Sequence, residues 1–123
     1  MITLKNDILT VKISKFGAEI KSVVKDGYEY MWHGDPQIWS GSAPILFPLC
    51  GASKDNKYIL NGKEYNIARH GFARNKIFEL EYINDKKAVF LLKDDEETLA
   101  KFPFKFEFRA TFILRKNAIK IEL

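Results

Sequence analysis

Cysteine is nearly absent. The 123 residues hold one, Cys50, so no disulfide can close within the chain and a reducing compartment fits. A nucleophilic role for that thiol needs a positioned base, and none is identifiable, so Cys50 reads as a buried, inert side chain. Histidine is scarce too. His33 and His70 stand alone, without His-x-x-x-His spacing or a cysteine cluster, and carry no metal signature. Phosphate-loop, dinucleotide and G-x-S-x-G patterns are missing, which removes the function classes those motifs announce. No run is long enough to span a bilayer: the longest weakly polar one, residues 43–52, is short and holds two prolines. The opening Met-Ile-Thr-Leu-Lys-Asn-Asp has no basic stretch followed by an apolar one, so no secretory signal is visible. These absences predict a cytoplasmic protein with no membrane partner. Basic blocks are also wanting. Twenty Lys and Arg against sixteen Asp and Glu give +4, but the lysines are scattered beside acids, which reads as solvated faces with no nucleic-acid partner.

What is plentiful is phenylalanine, with ten, and aromatics at 14% favour β structure. One domain, residues 1–123, fits the length. Residues 8–14 alternate as a strand with Leu9, Val11 and Ile13 on one face, Phe16-Gly17 breaks it, and residues 18–25 form the next strand. Asp26-Gly27 is a two-residue hairpin turn leading to a returning strand over 28–32, and Asn61-Gly62 repeats the device within 58–67. Strands over 77–83 and 87–93 flank an Asn84-Asp85 turn. Residues 94–101 alone have helical composition. In 102–115, Phe102, Phe104, Phe106, Phe108, Ala110, Phe112 and Leu114 share one face, and Lys116-Asn117 turns into a final strand over 118–123. The class is therefore all-β: an antiparallel β-sandwich.

Residues 33–57 are irregular and long for a compact domain, and ordered loops of this kind are usually functional. The chemistry concentrates in residues 39–74. The segment Trp-Ser-Gly-Ser-Ala-Pro-Ile-Leu-Phe-Pro-Leu-Cys-Gly is apolar, yet its prolines and glycines forbid a helix or central strand, so it is expected to floor a pocket. Arg69-His-Gly-Phe-Ala-Arg74 then places an imidazole between two guanidinium groups. His70 reads either as a group that exchanges protons or hydrogen bonds with a ligand hydroxyl, or as a structural histidine tied to a backbone carbonyl near Gly71. Arg69 and Arg74 read as an anion or hydroxyl clamp or as exposed charges, and Phe72 as core or as a stacking surface. Trp32, Trp39 and Tyr58 could offer flat faces to a sugar ring or pack inside, and His33 reads as a surface-loop residue.

Ser42-Ala-Pro-Ile-Leu-Phe-Pro-Leu-Cys-Gly51, the Tyr58 hairpin and His70-Gly-Phe-Ala-Arg74 together resemble the aldose 1-epimerase (galactose mutarotase-like) family, in its LacX-like branch. Phe16-Gly-Ala-Glu-Ile20 and Phe102-Pro-Phe104 stand in the same order as in that family. The resemblance implies the N-terminal half of a large β-sandwich that binds a free hexose or hexose phosphate without a cofactor. In the complete protein it implies interconversion of the α and β anomers by acid/base ring opening. Carried over residue by residue, it makes His70, Arg74 and Phe72 the substrate-binding candidates and the sugar the partner. It places the catalytic acid and base, a second histidine and a glutamate, later than Leu123. An arginine that some branches carry before Pro-Ile-Leu-Phe-Pro is replaced here by Gly41 and Ser42.

Ile119, Ile121 and Leu123 are still alternating with Lys120 and Glu122 at the last residue, so the chain is expected to be part of something longer. Half a sandwich should leave an open strand edge and an apolar patch on the 102–114 face. Self-association, or pairing with a missing C-terminal half, is expected.

Overall fold

Leu9, Val11 and Ile13 are buried while Lys12 between them is exposed, the period of two of a half-solvated strand. In the computed structural model, which describes residues 1–123, this is β2 (Leu9–Ile13), and it lies between β1 (Ile2–Lys5) and β3 (Ile20–Lys25). A short β4 (Tyr28–Glu29) completes a four-stranded antiparallel sheet in the order β1-β2-β3-β4. The hairpin of β5 (Lys57–Leu60) and β6 (Lys63–Asn66) stands apart as a two-stranded sheet. A second four-stranded antiparallel sheet runs β10-β9-β8-β7, from β7 (Glu79–Ile83), β8 (Lys87–Lys93), β9 (Glu107–Arg115) and β10 (Ala118–Glu122). Between β8 and β9 sits α1 (Glu96–Lys101), where the Asp95 carboxylate accepts from the Thr98 amide and the Thr98 hydroxyl oxygen accepts from the Asp95 amide.

One core joins the two large sheets. Leu4, Leu9, Val11, Ile13 and Ile20 come from the first, and Ala88, Phe90, Leu92, Ala110, Phe112 and Leu114 from the second. This is the sandwich read from the sequence. Phe78, Phe90 and Phe112 are its largest fully buried side chains, each contributing about 1.5–3 kcal/mol of transfer free energy.

Four departures from the sequence reading have local causes. The unanticipated β1 pairs with β2 from Ile2↔Ile13 to Lys5↔Thr10, in a stretch whose alternation is too short to stand out. The strand expected over 28–32 stops after two residues, because the Glu29 carboxylate takes over the ladder by accepting from the Val23 and Met31 amides. The strand expected from residue 102 begins only at Glu107: the Phe104 amide donates back to the Phe102 carbonyl, and the Phe106 amide donates to the Asp94 carboxylate. Last, the apolar face read over 102–114 is buried only from Ala110 on, where Ala110, Phe112 and Leu114 pack against the other sheet; Phe102, Phe106 and Phe108 are half-buried and Phe104 is exposed. Both hairpin turns form as read, with Asp26 at φ 51° and Asn61 at φ 51°.

Candidate functional site

The irregular segment 42–51 satisfies its backbone against the other irregular segment, 69–74. The Phe47 carbonyl accepts from both the Phe72 amide (3.0 Å) and the Ala73 amide (3.2 Å), and Phe47 and Gly71 form an isolated parallel bridge. Gly71 is required there. Its φ is +70°, and a Cβ on it would lie 2.2 Å from the Phe47 oxygen. A second glycine serves the same neighbourhood from the first sheet: a Cβ on Gly17 would meet the Arg74 carbonyl oxygen at 2.9 Å, and the Gly17 amide donates to the Lys76 carbonyl at 2.8 Å. The break Phe16-Gly17 is thus where β2's end tucks under the arginine turn.

Beneath these backbones lies an aromatic floor. The Phe47 ring stacks on Phe108 of β9 at 4.5 Å with planes 11° apart, and meets Phe72 edge-on at 5.9 Å. Phe72 is 4% exposed, so it underlies the site as core and presents no open face. Lys76, just past the turn, is fixed to the start of α1 by Asp95 (2.8 Å) and Glu97 (2.5 Å).

His70 is locked to the proline-rich segment by a reciprocal pair. Its amide donates to the Gly51 carbonyl at 2.7 Å, and the Gly51 amide donates to its Nδ1 at 2.9 Å. The structural partner is therefore an amide donor, not the carbonyl anticipated near Gly71. This fixes the tautomer. Nδ1 spends the one lone pair of a neutral imidazole, so Nε2 carries the proton. Arg69 Nε lies 3.2 Å from Nε2. Its N–H is aimed at Nε2, so the guanidinium and the Gly51 amide compete for the single lone pair, and the shorter Gly51 contact takes it. Partial burial, then the charges of Arg69 and Arg74, hold the imidazole below its ordinary 6.5.

A pH dependence follows. Because the folded value is depressed, the unfolded chain binds the proton more readily, so this contribution to stability is intact above pH 6.5 and declines as the pH falls below it. We expect nitrogen-resolved NMR to find the Nε2–H tautomer at pH 7 and a titration midpoint below 6.5. A Nδ1–H tautomer, or a midpoint above that value, would contradict the Gly51 bond.

Arg74 turns toward a cavity of about 430 Å³ between β2, β3 and the Trp39–Pro44 loop, lined among others by Glu19, Lys21, Trp39, Ser40 and Asn75. One guanidinium arm, Nη2, donates to the Arg69 carbonyl at 3.3 Å, while Nε is buried with no partner. His70 is not on this lining; Arg74, whose charge acts on the imidazole, is. Trp39 is 49% exposed and lines the cavity. Trp32 instead donates through its indole N–H to the Trp39 carbonyl (2.8 Å), and Tyr58 is spent on the Lys101 carbonyl (2.7 Å). His33 stays in the loop beside Trp32. Cys50 is exposed, contrary to the buried thiol expected, because its neighbour Gly51 makes the inward backbone contacts.

Sequence reasoning missed Glu19. It is 9% exposed, and one carboxylate oxygen accepts from the Ser42 and Ala43 amides (2.5 and 2.9 Å) while the other takes the Lys21 ammonium (2.9 Å). Burial alone would raise its pKa, but these three donors hold it below its ordinary 4.5. Its only trace in the sequence was membership of Phe16-Gly-Ala-Glu-Ile20. No three of the His, Cys, Asp and Glu side chains converge on a point that could hold a metal, and no helix is long and apolar enough to cross a membrane.

Comparison with known proteins gives a consistent picture. A family model described as Aldose 1-epimerase matches residues 1–123. Protein LacX (plasmid) of Lactococcus lactis subsp. lactis is 39% identical over 98% of this chain and 42% of its own length. The chromosomal LacX is 38% identical over the same shares. Among solved structures, a galactose mutarotase related enzyme from Lactobacillus acidophilus superposes with a TM-score of 0.96 at 44% identity, over 98% of this chain and 41% of that one. A galactose mutarotase-like protein from Lactobacillus casei gives 0.95 at 38%, over 98% and 42%. The chain spans about 42% of the length of the curated relatives it matches.

Proposed function

Because this chain belongs to the aldose 1-epimerase family, we propose that its His70–Arg74 face holds the hydroxyl groups of a free hexose or hexose phosphate. The observation that carries the reading is the His70 ring pinned through Nδ1 to Gly51, which leaves Nε2 and the neighbouring Arg69 Nε as the polar groups to be served. A sugar oxygen that displaces the Arg69 contact accepts from Nε2–H, and the released guanidinium donates to a second oxygen. Arg74, with its buried and unpartnered Nε on the neighbouring cavity, adds a fixed positive charge that suits an oxygen-rich or anionic ligand. Trp39 supplies an apolar face of the kind sugar rings stack on.

Anomer exchange needs more than binding. One group must take the proton of the anomeric hydroxyl while another protonates the ring oxygen, so that the ring opens and recloses on the other face. His70 in its Nε2–H form is a donor whose other nitrogen is committed to Gly51. Glu19, the carboxylate on the cavity, has both oxygens engaged and is held ionised. These residues hold and orient a sugar. The base belongs, on this reading, to the part of the family protein beyond the stretch this chain spans, so residues 1–123 bind without exchanging anomers. That makes the sugar-binding sandwich without chemistry the better description of this chain by itself.

Titrating glucose, galactose and their 6-phosphates into the chain, with the anomeric protons followed by NMR, tests both statements. Saturable broadening is expected with the parent chain and its loss with His70→Ala, whereas exchange between the anomers should stay at the buffer rate. Broadening that survives His70→Ala sinks the site, and accelerated exchange sinks the division of labour.

A further inference from the structure

Arg74 sits in a single turn of 3-10 helix, Ala73–Asn75, too short to hold a direction of its own, so its aim depends on how the two ends of the turn are fastened. The entry is fastened by the Phe47 carbonyl, which takes the Phe72 and Ala73 amides. The exit is Lys76, whose amide, carbonyl and ammonium each bind a different part of the chain. The amide closes the turn on the Ala73 carbonyl at 3.1 Å, and the carbonyl accepts from the Gly17 amide at 2.8 Å, beyond the end of β2. The ammonium reaches the other way, to Asp95 (2.8 Å) and Glu97 (2.5 Å) at the start of α1.

The helix is a fixed post. The other Asp95 oxygen accepts from the Thr98 amide, the other Glu97 oxygen takes the Lys101 ammonium (2.6 Å), and the Lys101 carbonyl accepts from the Tyr58 hydroxyl of β5. Phe102, which ends α1, packs against Phe47 and Phe72 with ring centres 6.0 and 6.5 Å away. Exposed single ion pairs contribute little, but the Lys76 side chain is only 16% exposed and each of its two partners is held by a second bond. Burial alone would lower the Lys76 pKa, and the two carboxylates hold it above its ordinary value, so the ammonium stays charged. Behind the turn lies a space of about 90 Å³, lined among others by Gly71, Phe72, Asn75, Lys76, Glu97 and Lys101. The turn and α1 do not close on each other there, and the Lys76 arm spans the gap. Without that grip the exit of the turn is free to tilt into the space, and Arg74, two residues earlier, tilts with it.

We propose that Lys76 is a positioning residue: its ammonium, gripped by Asp95 and Glu97, sets the direction in which Arg74 points at the cavity between β2 and β3. The assignment of a sugar to Arg74 rests on the function proposed above, whereas the direction of Arg74 is a property of the ligand-free chain.

Nitrogen-resolved NMR of the ligand-free chain reads that direction through the buried Arg74 Nε–H. In Lys76→Met, which keeps the length of the arm and removes its charge, this signal should move and its exchange with water should quicken roughly tenfold, while the signals of the buried Phe78, Phe90 and Phe112 stay in place. Asp95→Asn combined with Glu97→Gln releases the grip from the helix side and keeps a capping side chain at position 95, so it should move Arg74 in the same way. Adding Lys76→Met to that pair should change nothing more, because all three act on one interaction. Lys76→Arg should return the Arg74 signal toward that of the parent. Titrated with glucose and galactose, whose neutrality keeps the lost charge out of the result, Lys76→Met and the carboxylate variant should each bind roughly tenfold more weakly than the parent chain. An Arg74 signal unmoved in a folded Lys76→Met overturns the proposal, as does one that the carboxylate variant leaves in place, or effects of the two that add in full. Unchanged sugar affinity beside a moved Arg74 removes Lys76 from binding. A parent chain that binds neither sugar sinks the function proposed above, and the Arg74 signal then still decides whether Lys76 aims the turn.

Discussion

Gly71→Ala is expected to lower the unfolding free energy by about 3 kcal/mol, the sum of a left-handed backbone forced on a residue with a Cβ and an overlap with a fixed neighbour. The neighbour is the Phe47 carbonyl oxygen, 2.2 Å from where the Cβ would stand, and it cannot retreat. It already accepts from the Phe72 and Ala73 amides, and its residue's ring is stacked on Phe108. Gly62→Ala is the matched control: its φ is +77°, yet nothing lies within 4 Å of the added carbon, so only the backbone term applies, about 1 kcal/mol. Urea unfolding of the two variants separates conformational strain from collision. Equal shifts would mean that the two segments do not meet as described. The same substitution pries 47 from 71, so it should also loosen the Gly51–His70 pair and move the imidazole signals toward those of a free histidine.

The second large effect is expected at Glu19. Glu19→Ala leaves the Ser42 and Ala43 amides without an acceptor in a part-buried place, and frees Lys21, at a cost of about 3 kcal/mol. Glu19→Gln keeps an oxygen for the amides and loses the charge, costing about 1 kcal/mol. The pH course distinguishes the two roles. With the folded pKa below 4.5, the unfolded chain takes up the proton first, so Glu19's contribution is complete above pH 4.5 and is lost as the pH falls through the folded value. Stability measured from pH 7 down to pH 3 should therefore fall less steeply for Glu19→Gln than for the parent chain. Parallel acid limbs would remove Glu19 from the account. Since Glu19 also lines the cavity beside Arg74, its alanine variant should weaken sugar binding without touching any residue of the 69–74 turn.

The strands were legible where side-chain alternation runs for five residues, as in β2 and the second half of β9, or where a short apolar run is bounded by polar residues, as in β8. They were misjudged where a carboxylate supplied bonds that a ladder would otherwise make. Glu29 ends β4 early, and Asp94 delays β9 until Glu107, although the alternating phenylalanines promised a strand from 102. At the site, the two segments that carry the family resemblance do come together, and the glycine between His70 and Phe72 is the reason. What could not be read was direction. Nothing local says that the His70 ring accepts from an amide nineteen residues away, that Phe72 turns inward, that Cys50 turns outward, or that Glu19 serves a loop more than twenty residues on. These depend on which backbone groups are left unpaired once the sheets have formed, and that is a property of the whole fold.

The bridge between Phe47 and Gly71 also has a kinetic meaning. A contact between distant, irregular segments has no local nucleus and must overcome the entropy of closing the loop between its ends. Ten of the 23 residues between them (57–66 of 48–70) are the β5–β6 hairpin, whose Asn61-Gly62 turn and Lys57↔Asn66 pairing form from near neighbours. Once the hairpin has zipped, the chain still free to wander shrinks to residues 48–56 and 67–70, which brings Gly51 and His70 closer together. The hairpin is thus a clasp for the site, and a longer or looser one would slow the site's assembly while leaving the finished geometry unchanged.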